Sequence, residues 1–93
     1  MQYIPRPDPD VLTTAMPAGD MILLHLGTSR YFTLNETGAL IWKMMESSAT
    51  PAGMSETLSG QFDVTPEAAE ETVRELMLDL KTHKLITIPE SRP

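Results

Sequence analysis

Apolar and polar positions change their repeat near residue 35: residues 11–34 alternate with the period of two of a strand, and residues 36–82 repeat every three or four as helices do. Val11–Ala15 predicts a first strand, closed by a turn at Met16-Pro17-Ala18-Gly19. Met21–Leu26 predicts a second, with Ile22, Leu24 and Leu26 on one face and Met21, Leu23 and His25 on the other. Both faces are apolar enough to be at least partly covered, so this is the central strand. After a turn at Gly27-Thr28-Ser29, Arg30–Leu34 is rich in aromatic and β-branched types and pairs antiparallel with its predecessor. The expectation is a three-stranded meander.

The helical half is punctuated by start signals. Asn35 is an N-cap with Glu36 in the first turn, and Leu40, Ile41, Met44 and Met45 form a stripe that ends near Ser47-Ser48. Thr50-Pro51 opens a second helix carrying Met54, Leu58 and Phe62 at spacings of four, and Thr65-Pro66-Glu67 repeats the signal. The third helix, residues 66–82, sets Ala69, Val73, Leu76, Met77 and Leu80 within about 100° of arc, so this face packs on the core. Leu85–Ile88 reads as a short strand or an extended tail, ended by Pro89. The prolines of MQYIPRPDPD make residues 1–10 an extended arm, expected to be solvated unless docked. The fold class is therefore α+β: an arm over 1–10, one domain over 11–88 with three antiparallel strands followed by three helices, and a tail over 89–93.

Composition narrows the chemistry. The 93 residues make one small domain, too small for a catalytic cleft between two lobes. There is no Cys, and His25 and His83 have no companion ligands in sequence, so neither a metal centre nor a thiolate nucleophile is expected. No nucleophile or paired acid and base stands out, so the chain reads as a non-enzyme without cofactors. The net charge is -6, and the third helix carries Glu67, Glu70, Glu71, Glu75 and Asp79 against Arg74. Phosphate would repel such a helix, which argues against nucleic acid. No stretch approaches a membrane span, and the prolines stand where a signal peptide needs an apolar run, so a cytoplasmic location is expected. Trp42 belongs to the core, as do Met44, Met45, Met54 and Met77, while of Tyr31 and Phe32 one faces inward and the other outward. Leu78 falls on the outer face of the third helix among acids, exposed and open to a partner protein.

The string MILLHLGTSRYFTLNETGALIW, followed by Leu58, Phe62-Asp63-Val64, Val73, Leu76, Leu80 and Leu85-Ile86, resembles the PqqD-like family over about residues 5–88. The specific piece is Leu34-Asn35-Glu36-Thr37-Gly38 with Ile41-Trp42, placed directly after an aromatic strand. The resemblance implies a winged helix-turn-helix-like fold and a stand-alone recognition element for precursor peptides of ribosomal natural products, as in lasso peptide and pyrroloquinoline quinone biosynthesis. It further implies a non-catalytic adaptor that binds a leader peptide as an added strand and presents it to a leader peptidase, cyclase or radical enzyme. A structural subunit that stabilises a partner enzyme without binding peptide is the alternative. By position, the peptide would meet Arg30, Tyr31, Phe32, Thr33 and Leu34 on the edge strand, and Ala68, Thr72, Glu75, Leu76 and Asp79 on the third helix. The acids there favour a peptide bearing Lys or Arg. The same open edge allows self-pairing into a homodimer. Three positions depart from the family pattern: Thr72 stands where Asp is common, and Ser29 and Lys84 where Gly is common.

Overall fold

A computed structural model describes residues 4–87; the start of the arm, the expected strand end at Ile88, the stop at Pro89 and the 89–93 tail lie outside the described residues. Strand β1 is Arg6–Pro7, β2 Val11–Ala15, β3 Met21–His25 and β4 Arg30–Leu34; helices α1, α2 and α3 span Glu36–Glu46, Pro51–Gln61 and Pro66–Thr82; β5 is Ile86–Thr87. The sheet order β2-β3-β4 is the expected meander. In the β2–β3 turn Gly19 sits at φ +99°, where a Cβ would be strained, and its N–H reaches the Met16 carbonyl at 3.0 Å. Leu26, expected to end the second strand, lies instead in the β3–β4 turn, although its N–H still donates to the Asp10 carbonyl at 2.9 Å.

That bond fixes which backbone groups remain free. Leu26 points its peptide at β2, so by the period of two Ile22 and Leu24 do the same, and Met21, Leu23 and His25 turn theirs to β4. Their register partners are Leu34, Phe32 and Arg30. The N–H and C=O groups of Tyr31 and Thr33 consequently face away from the sheet, along an edge that no strand among the described residues pairs.

Each helix begins on a side-chain cap: the Asn35 carboxamide oxygen accepts from Gly38 N–H at 2.8 Å, Thr50 Oγ1 from Gly53 N–H at 3.2 Å, and Thr65 Oγ1 from Ala68 N–H at 3.1 Å. The core lies between the inner face of the sheet, which supplies Met21, Leu23 and Leu34, and the helices, which supply Ile41, Trp42, Met45, Met54, Leu58, Val73 and Met77 among others. Trp42 is fully buried, and its indole N–H donates to Glu46 at 3.2 Å.

The arm does not behave as a solvated terminus. Arg6 and Pro7 pair with Thr87 and Ile86, Asp8 N–H donates to the Leu85 carbonyl at 2.9 Å, and Pro5 is fully buried. Prolines that hold the arm extended leave it little further entropy to lose on docking, which offsets its short length. The Leu85–Ile88 segment resolves into a strand at Ile86–Thr87.

Candidate functional site

The strand β4 meets the C-terminal end of α3. A contact at the end of α3 bridges them: the Phe32 ring lies 4.8 Å from the His83 ring at 45°. Phe32 is half-buried on the core side of the strand while Tyr31, on the outer side, is 72% exposed, the inward and outward split expected of the pair. With its C-terminal end fixed at Phe32, α3 leads back past the end of β4 toward the start of α1.

There the chain leaves a groove of about 430 Å³ between α1, the end of α2 and one flank of α3. Thr72, Glu75, Leu76 and Asp79 form the α3 wall, as expected for the flank beside the apolar stripe. Ala68, expected with them, is exposed and lies outside the lining; its neighbour Ala69, on the apolar stripe, lines the groove instead. Arg30, Tyr31, Phe32, Thr33 and Leu34 do not line this cavity; they form the edge leading into it.

On the other side of the groove, the spacing along the chain marks Ile41, Leu58 and Phe62 as core positions and does not mark them as groove lining. Asn35, Thr37, Gly38 and Ile41 come from α1 and its cap, and Leu58, Phe62 and Val64 from α2 and the loop after it. Phe62 and Val64 do carry a signal. Phe62 is the C-cap of α2 with extended backbone rather than a helical core residue, and Val64 beyond it is 43% exposed, unusual for a β-branched apolar side chain in a loop. Gly38 also contributes by what it lacks, since a Cβ there would come within 3.3 Å of Leu34 Cβ and Asn35 Oδ1.

The surfaces are complementary in kind. The edge offers backbone hydrogen bonds at Tyr31 and Thr33, and the groove offers apolar contact from Phe62, Val64 and Leu76 over the buried Ile41, Leu58 and Ala69, with the carboxylates of Glu75 and Asp79 in the same lining. Among the described residues no Lys or Arg lines it. Among the same residues no three His, Asp or Glu side chains converge as a metal would require, and no helix is long and apolar enough to cross a membrane. An extended segment with alternating side chains is the shape that fits.

No curated protein matches the chain. Two solved structures share its backbone. One is TbiB1 in complex with the TbiA(beta) leader peptide, 22% identical over 94% of this chain and 99% of that one, with a TM-score of 0.85. Another is lasso peptide synthetase B1 complexed with the leader peptide, 26% identical over 90% and 98% of the two chains, with a TM-score of 0.84. Residues 20–86 match the family described as coenzyme PQQ synthesis protein D (PqqD). Since that stretch takes in β3, β4, all three helices and the first residue of β5, the chain belongs to the PqqD family.

Proposed function

We propose that the chain is a non-catalytic adaptor that binds the leader region of a ribosomally made precursor peptide by strand addition on β4 and presents it to a modifying enzyme, such as a leader peptidase or cyclase. The observation that carries this reading is the open edge at Tyr31 and Thr33, leading into a groove on α3. Edge backbone groups supply affinity to any extended chain, and the side chains lining the groove make it selective. The two solved structures of similar backbone, both described as leader complexes, support the same reading.

Calorimetric titration with separate leader and core peptides of the precursor tests it. The leader is expected to bind, and the core to bind at least tenfold more weakly. Equal binding of both would overturn leader recognition, and binding of neither would favour a subunit that only stabilises a partner enzyme.

A further inference from the structure

On a strand paired with β4, side chains opposite Phe32 and Leu34 share the core side of the sheet and enter the space before α3, while those opposite Tyr31 and Thr33 point outward. The groove-facing side chains recur about every 6.7 Å along such a strand. Along α3, Glu75 and Asp79 are one turn apart, about 6 Å at 1.5 Å per residue. The two repeats nearly match, so successive groove-facing side chains of a peptide meet successive turns of α3. The wall they meet is not uniform. Beyond the end of β4 its apolar surface comes from Phe62 and Val64 over the buried Ile41 and Leu58, with Asn35, Thr37 and Thr72 beside them; along α3 toward His83 it carries the carboxylates of Glu75 and Asp79, and no Lys or Arg is among the described residues that line it.

We propose that the groove selects peptides in which Lys or Arg stands two residues from a bulky apolar side chain. The inference rests on the strand-addition reading and adds a sequence requirement to it. The apolar side chain fills the cavity beyond Leu34, and the next groove-facing residue lies under Glu75 and Asp79. A carboxylate at that second position would face the like charges of the exposed Glu75 and Asp79, which lowers its affinity relative to Lys or Arg.

The test is selection of the intact chain against a displayed library of randomised short peptides. Among recovered sequences, Lys and Arg are expected to exceed Asp and Glu by about two- to fivefold two positions from Leu, Ile, Met or Phe, the range of an exposed ion pair. In Glu75→Gln with Asp79→Gln the charge bias should vanish and the apolar preference remain; in Glu67→Gln with Glu70→Gln, away from the groove, both should persist. Circular dichroism checks that each variant is folded. Recovered peptides without a basic bias, or a bias that survives Glu75→Gln with Asp79→Gln, would overturn the inference and leave peptide binding standing. Recovery of no peptide sequence above background would overturn the strand-addition reading, and this requirement with it.

Discussion

Ser29, Ser48 and Lys84 hold φ at 57°, 67° and 61°, the left-handed region in which a Cβ crowds the following carbonyl. Two of them close helices in the same way. After α1, Ser48 N–H donates to Met45 and Ala49 N–H to Met44; after α3, Lys84 N–H donates to Lys81 and Leu85 N–H to Leu80. This pairing normally takes glycine at the left-handed position. Relief of about 1–2 kcal/mol of crowding is partly offset by the greater freedom of glycine in the unfolded chain. Ser29→Gly and Lys84→Gly should therefore each stabilise the fold by about 0.5–1 kcal/mol, raising the thermal midpoint by about 2–8 °C. Lys84→Ala keeps the Cβ and should give no such gain; a gain equal to that of Lys84→Gly would place the cause in the lysine side chain instead. In the sequence Ser29 and Lys84 stand out only as changes of turn chemistry, where the family pattern often has glycine; their left-handed backbone is seen in the structure. Ser48 has no such mark, because a polar residue after a helix is compatible with several endings.

At the scale of elements, β4 carries the proposed binding function through its backbone, so substitutions there separate backbone from side-chain effects. The Thr33 N–H points to the open edge, so proline at this position removes a donor that no neighbouring strand uses. Thr33→Pro should lower leader affinity about tenfold or more, one lost ladder bond together with the fixed φ, whereas Thr33→Ala should change it less than about threefold. Comparable affinities in two folded variants would move the peptide off this edge. The elements themselves were largely legible in the sequence, since the switch from alternation to a helical repeat fell at Asn35 and the Thr-Pro starts at 50–51 and 65–66 fixed α2 and α3. The α3 wall of the groove was legible for the same reason, because Thr72, Glu75 and Asp79 flank an apolar stripe. The opposite wall was not. Ile41 and Leu58 are buried like any core residue, and only the packing of three helices decides that their surroundings stay open on one side.

At the scale of the whole molecule, the chain's two ends hold the sheet and α3 in their relative places. β5 follows α3 directly through the closing bonds at Lys84 and Leu85, and β1 pairs with β5 while feeding, through Asp8 and Asp10, into β2. The clasp between β1 and β5 thus ties the C-terminal end of α3, whose flank walls the groove, back to the start of the sheet. The proline run predicted an extended arm, but docking could not be read from it, since the partner strand lies about eighty residues away and offers only two residues of pairing. Deleting residues 1–7 uncovers the buried Ile86 and removes Pro5 from its fully buried site. Loss of one such apolar side chain from the core is worth about 1.5–3 kcal/mol, before the strand bonds are counted. The urea unfolding midpoint should fall accordingly, with the thermal midpoint lower by about 6–24 °C. Since α3 would lose its anchor on the sheet, the shortened chain should also bind leader more weakly under conditions where it remains folded. An unchanged midpoint would mean that the arm rests on the domain without supporting it, and unchanged leader affinity with a lowered midpoint would mean that Phe32 and His83 suffice to set the width of the groove.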